Sequence, residues 1–358
     1  MRNTIVSLIS IILGLIAGGL LMLFIGASPI EGYTYLFQGA LKNISRIGDT
    51  LATATPLIFT GLAVAFAFRT GLFNIGAAGQ MLIGGLCATA VGLTFDLSRP
   101  ILLLAMIAAG ILGGGLWAFI PGYFKARFNV HEVVSTIMMN WIAYWTVYYT
   151  VPAYFKGGTE TESQLISETA SLKTPVLSEM FQGSYINLGI FLAIIAVIII
   201  AFIINKTTLG FELKAVGFNR HAAEYAGMKV NRNIILSMII SGALAGLGGV
   251  ALYTGNASSI QIGILPSQGY DGIAVALLGA NSPVGVFFAA LLFGILYSGT
   301  GFMNAMIEIP PELANTIIAI IIYFAATSVL IHRVLNKFRK TRSNANDVNG
   351  PVGKKGEA

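Results

Sequence analysis

Asn187-Leu-Gly-Ile-Phe-Leu-Ala-Ile-Ile-Ala-Val-Ile-Ile-Ile-Ala-Phe-Ile-Ile204 runs for 18 residues without a charge. A helix crossing bilayer hydrocarbon needs about 20 largely apolar residues, so this stretch reads as a membrane span. Residues 101–123 and 311–331 read the same way. Working outward gives seven more: 5–25, 47–67, 72–93, 133–151, 233–253, 262–280 and 284–303. Those at 47–67, 72–93 and 262–280 are interrupted by Pro, Gly, Asn and Gln. The first follows Arg2 but has no clear small-x-small cleavage site, so it is expected to be a retained helix rather than a leader.

Composition agrees. The 358 residues are 56% hydrophobic and 10% charged, with a mean hydropathy of +0.79. Soluble domains carry roughly 45–50% and about 25%. A soluble enzyme, a nucleic-acid-binding domain and a disordered chain are excluded. The single cysteine, Cys87, rules out a disulfide framework, and His131, His221 and His332 are too scattered for a metal cluster. The expected fold is all-α: a polytopic integral membrane protein of about ten transmembrane helices, some broken or re-entrant.

Basic residues set the orientation, because cytoplasmic loops carry an excess of Lys and Arg. Ten alternating crossings with the N-terminus inside place Arg2, Arg69, Lys125 and Arg127 there. Five more between Lys206 and Arg232, and seven from Arg333 to Lys355, join them. Lys42, Arg46, Arg99, Lys156 and Lys173 remain outside, and Glu160, Glu162, Glu168 and Glu179 fall in the segment 152–186. Both termini are thus expected in the cytoplasm. The net charge of +6 is a topology signal and not a nucleic-acid footprint. The chain divides into a transmembrane domain 1–338, with an external loop 152–186 and a cytoplasmic segment 205–232, and a polar, disordered cytoplasmic tail 339–358.

No phosphate-cradling loop is present; the nearest string, Gly353-Lys354-Lys355, lacks the Ser/Thr and the upstream glycine. ATP chemistry would therefore need another chain. The segment Thr70–Gln80 holds three glycines with Asn74 and Gln80. It reads either as a broken helix lining a polar pathway or as small-residue packing with Asn74 as a cap. Asp271 is costly inside an apolar stretch, so it faces a cavity or a partner, or caps the helix that follows. The aromatic run from Trp141 to Phe155 reads as an interfacial belt, or as a stacking surface for a planar ring. Gly242-x-x-x-Gly246 and Gly113-Gly114-Gly115 are helix-packing devices. In 205–232, Asn219 can cap a short helix that Gly227 ends, giving either a knob for a cytoplasmic partner or an ordinary surface helix.

Three strings, Gly71–Gln80, Ala215–Ala223 with Gly227, and Gly272–Gly279 with Pro283 and Gly285, resemble permeases of bacterial ABC importers. The resemblance is to the nucleoside branch of the family shared with simple-sugar and branched-chain amino-acid permeases, and it runs from about 50 to 330. Ala78 departs from it, since an acidic residue is common there. The resemblance implies a non-enzymatic transport subunit in the bacterial cell membrane, with no cofactor of its own and with ATP and Mg on a partner ATPase. It implies a second permease subunit of a different, homologous sequence, a substrate-binding lipoprotein, surrounding lipid and no nucleic acid. Alternating access would carry nucleosides past Phe73, Asn74, Gln80, Asp271 and Asn304. The segment holding Gly217, Asn219, Arg220, Ala222, Ala223 and Gly227 corresponds to the element that docks on the ATPase. Simple sugars are the alternative cargo. An ion-coupled secondary transporter is the alternative class, disfavoured because Asp271 is its one serious intramembrane ionisable group. An intramembrane enzyme lacks a catalytic constellation.

Overall fold

The computed structural model describes residues 2–308 and 311–326. The tail 339–358, the basic run Arg333–Lys355 and the last part of the 311–331 stretch lie outside the described residues. Fourteen α-helices follow one another among those described: α1 (Arg2–Phe24), α2 (Pro29–Leu41), α3 (Ile44–Arg69), α4 (Ala77–Thr94), α5 (Arg99–Phe128), α6 (Glu132–Tyr154), α7 (Pro175–Met180), α8 (Gly189–Lys206), α9 (Thr208–Phe218), α10 (Arg220–Tyr225), α11 (Val230–Val250), α12 (Gln268–Leu278), α13 (Pro283–Ile307) and α14 (Pro311–Ala326). A wide turn, Ala251–Asn256, prolongs α11. The protein is an all-α membrane protein.

Six of these helices are each long and apolar enough to cross a bilayer, or seven if α1 and α2, bent by 120°, count as one span. The reading of about ten crossings also counted α6, α12 and α14. In α6, 23 residues long, Trp, Tyr and Asn dilute the apolar run. The stretch 262–280 is not a full transmembrane helix. Only the 11 residues of α12 are helical, about 16 Å of rise against roughly 30 Å of hydrocarbon. Its approach is not helical, because the chain turns at Gly263, at φ +77°, and Pro266 cannot continue a helix from upstream. Likewise α4 begins at residue 77 and not 72, since Gly71 turns the chain at φ +74°. The sequence reading missed α2, which Ser28 caps with Pro29 in its first turn.

The centre of the bundle is α3, buried along most of its length from Ala52 to Ala67, with α4, α5 and α11 beside it. A Cβ at Gly246 would collide with the carbonyl of Gly110, and one at Gly114 with that of Gly242. The expected glycine contacts thus let the α5 and α11 backbones touch. A second cluster, of Met22, Leu36, Leu296, Met303, Ile317 and Ile321, ties α1, α2, α13 and α14 together.

Two ends can be told apart. At the loop end, 155–172 pins the extended chain after α11. Ser163 N–H donates to Ile260 O (2.9 Å), Ile166 N–H to Ser258 O (2.8 Å) and Ile262 N–H to Thr161 O (2.9 Å). At the opposite, knob end lie the α3 terminus, α9 and α10, and the turn between α12 and α13. Arg69 donates there through Nε and Nη2 to Asn281 O (3.1 and 2.8 Å). Residues 257–278 therefore pass from one end to the other as a non-helical approach followed by a half-length helix.

Candidate functional site

Two broken elements meet inside the bundle. Gly79 N–H donates to Asn140 Oδ1 at 2.8 Å, and Asn140 stands eight residues, about 12 Å, above the knob end of α6. The N-terminus of α4 is therefore buried at depth. The N-terminus of α12 reaches the same level, because Gly269 lies directly on the backbone of Ala78. Thr60, on α3, donates to Gln268 O at 2.8 Å and fixes the other side. Non-helical backbone at membrane depth survives only where protein satisfies it. The segment between α3 and α4 meets this requirement through Asn74.

Asn74 is fully buried. Its Nδ2 donates to Gln80 Oε1 and to Ser241 Oγ, both at 2.8 Å. Its Oδ1 accepts from Gly76 N–H and from Gln80 Nε2, both at 3.0 Å. Gln80 is buried as well. Phe73 is half-buried and stacks on Phe68, ring centroids 5.2 Å apart. The Asn74 and Gln80 side chains thus form a closed knot at the bend.

Asp271 lies elsewhere. It sits half-buried in the first turn of α12, where the helix dipole favours a negative group. Its carboxylate has the hydroxyls of Tyr297 and Ser267 as its electrostatic neighbours. Tyr270, next to it, is exposed. Asn304 is seven residues beyond Tyr297, two turns along the same face of α13 and about 10 Å nearer the loop end. Among the described residues its buried Oδ1 has no hydrogen-bond partner. The five residues expected along a pathway thus fall into two groups. Phe73, Asn74 and Gln80 form one; Asp271 forms the other, with Asn304 above it. Tyr297, Tyr270 and Ser267 were not foreseen, though a Ser four residues before an intramembrane Asp was legible as a partner. The second group offers a carboxylate, three hydroxyls and an exposed ring, a set that holds a polar molecule by hydrogen bonds and stacking.

The knob at the other end is built by two caps. Thr207 accepts from Gly210 N–H (3.1 Å) to start α9, and Asn219 accepts from Ala222 N–H (3.0 Å) to start α10. Gly227, at φ +80°, ends it. Gly217 rests on the backbone of Arg69 and Thr70, where any Cβ would collide. Arg220 donates to Asn129 Oδ1 (3.4 Å) and Asn231 Oδ1 (3.2 Å). Ala222 is exposed, but Ala223 is 3% exposed, packed with Val216, Val230 and Ile234 of its own chain. Phe218 and Tyr225, which bracket α10, are each 94% exposed. Sequence reading overlooked them; their seven-residue spacing across the Asn219 cap was the available signal. In the adjacent α5–α6 turn, burial opposes ionisation of Glu132. Its backbone hydrogen bond and Lys125, at 3.0 Å, nonetheless hold its carboxyl below the usual carboxylate range.

Residues 46–326 match the family model described as "Branched-chain amino acid transport system / permease component". A guanosine ABC transporter permease protein, NupP of Bacillus subtilis, is 47% identical over 347 residues, 96% of this chain and 99% of that one. The nucleoside ABC transporter permease protein NupB of Lactococcus lactis is 40% identical, with 96% of each chain covered. The glucose ABC transporter permease protein TsgB13 of Haloferax volcanii is 32% identical over 91% of this chain and 87% of its own.

Proposed function

The chain belongs to the branched-chain amino acid transport system permease family, and from that premise we propose that it is the membrane subunit of an ABC importer for nucleosides. The observation that carries the cargo is the near full-length, 47% identity to a guanosine permease. The polar cluster supports it. A nucleoside presents a hydroxylated ring and a planar base, and Asp271, Ser267 and Tyr297 offer hydrogen-bonding groups beside the open ring of Tyr270. The glucose-permease relative favours a second reading, simple sugars, which would leave that ring without a planar partner.

In this reading the knob end faces the cytoplasm, as the basic residues require. ATP and Mg are bound by a separate ATPase docked on Gly217–Gly227, with Phe218 and Tyr225 as its anchors. A second, homologous permease completes the pathway, and a lipoprotein receptor delivers substrate at the loop end. Closure of the ATPase shifts the spans between two access states. The test is competition. In vesicles holding the whole complex, unlabelled adenosine and uridine should displace labelled guanosine, and ribose, glucose and leucine should not. Better competition by ribose or glucose assigns the chain to sugars.

A further inference from the structure

One buried side chain is bonded to three elements. Asn140, on α6, is 1% exposed. Its Oδ1 accepts from Gly79 N–H at 2.8 Å, in the first turn of α4. Its Nδ2 donates to Ile75 O at 3.0 Å, in the bend before α4, and to the Tyr270 hydroxyl at 3.4 Å, in the first turn of α12. Both donors and the acceptor are used. The same side chain therefore closes the bend and reaches the residue beside Asp271.

The bend is tied from the knob side too. On α11, Asn233, Ser237 and Ser241 recur every four residues and so form one polar stripe. Asn233 Nδ2 donates to Glu212 of α9 at 2.8 Å. Thr70 donates to Ser237 Oγ at 2.9 Å, and Ser241 takes the Asn74 bond while donating to Ala63 O at 2.7 Å. Gly217 presses on Arg69 and Thr70. Contacts thus run without a gap from α9 through the bend to Asn140, and from Asn140 to α12.

We propose that Asn140 is a positioning residue that makes the bend 70–76 and the half-helix α12 move together when the knob moves. The idea rests on the reading of the knob as the ATPase dock. Contiguity alone does not establish coupling; a change at one site must alter the response at the other. The bonds themselves are short-range and leave Asp271 untouched, so Asn140 acts through Tyr270 and through the Gly269–Ala78 contact.

The experiment uses the full complex in vesicles, with Cys87→Ala and a reporter cysteine at the exposed Ser267. Its rate of reaction with a small thiol reagent is measured with and without Mg-ATP, and ATPase recovery is checked by pull-down. The parent should show a several-fold change on adding Mg-ATP. Asn140→Leu should shrink this to less than twofold, and Tyr270→Phe, which leaves the ring in place, should roughly halve it. A purely structural Asn140 would alter yield or the ATP-free rate and leave the ATP-dependent ratio intact. An undiminished ratio in both variants, or a parent that does not respond with its ATPase docked, overturns the proposal. Failure to recover the ATPase with the parent overturns the docking reading and this inference with it. If the unsubstituted protein, with Ser267 in place, carries no nucleoside while the reporter parent shows an Asn140-dependent response, the cargo assignment falls and the positioning role stands.

Discussion

Asn74 and Gln80 exchange reciprocal hydrogen bonds: Asn74 Nδ2 to Gln80 Oε1 at 2.8 Å, and Gln80 Nε2 to Asn74 Oδ1 at 3.0 Å. Two amides six residues apart thereby close the bend that admits α4 to the middle of the bundle. With Ser241 and Gly76 added, Asn74 has every donor and lone pair engaged. Residues so bound hold backbone, and a passing substrate would have to break those bonds to use them.

Asn74→Leu should therefore act on stability first. It leaves at least the Gln80 amide and the Gly76 N–H buried and unpaired, at ~1–3 kcal/mol for each orphaned group. The expected result is a lower thermal aggregation midpoint in detergent and reduced membrane yield, with uptake falling in proportion to folded protein. A variant of normal stability and yield with a raised KM would instead place Asn74 on the pathway.

Asp271 should behave in the opposite way. Asp271→Asn keeps shape and size, and the half-buried position tolerates a neutral amide without leaving a charge unpaired. Folding and ATPase recovery should stay at parental levels, while the KM for nucleoside rises about tenfold, equivalent to ~1.4 kcal/mol. Tyr297→Phe should give a smaller rise. If Asp271→Ala transports at the parental rate, the carboxylate does no more than favour the start of α12.

How much of this was legible follows from what hydropathy measures. It reports the solvent a segment prefers and is blind to whether the backbone is helical. The unbroken apolar run of α8 therefore gave its span directly, whereas 262–280 looked like a full crossing although helix occupies only Gln268–Leu278. In α2, Tyr, Thr, Gln and Glu dilute the apolar face, so hydropathy leaves this capped helix unassigned despite Ser28-Pro29 with Glu31 at its start. Local chemistry was readable where it is self-contained: the Asn219 cap and the Gly227 stop are set by neighbours in sequence. The Asp271–Tyr297 approach and the three bonds of Asn140 join distant segments, and no spacing announces them.

Topology can be checked with exposed probes. Ser163 is a poor choice, being buried against Ile260, but Glu160 on the same loop is exposed. Cysteines at Glu160 and at Asn219, each in Cys87→Ala, should label oppositely on intact cells with an impermeant thiol reagent: the first reacts, and the second reacts only after permeabilisation. Labelling of Asn219 alone on intact cells reverses the orientation.

The knob separates docking from folding by residue. Phe218 and Tyr225 expose nearly all of their surface, so truncating them removes no packing from this chain. Large aromatics of this kind dominate binding when a partner covers them, often at 2 kcal/mol or more, roughly thirtyfold in affinity. Phe218→Ala and Tyr225→Ala should thus cut ATPase recovery in pull-downs by tenfold or more, with thermal stability unchanged. Ala223→Trp should do the reverse. Its side chain points into Val216, Val230 and Ile234, and overpacking such a site costs ~1–3 kcal/mol, so stability falls before docking is tested. Arg220→Glu should weaken recovery only slightly, because its bonds to Asn129 and Asn231 are exposed and long. If both aromatic truncations leave ATPase recovery intact while the same change at exposed Phe128, in the α5–α6 turn, abolishes it, that turn is the dock.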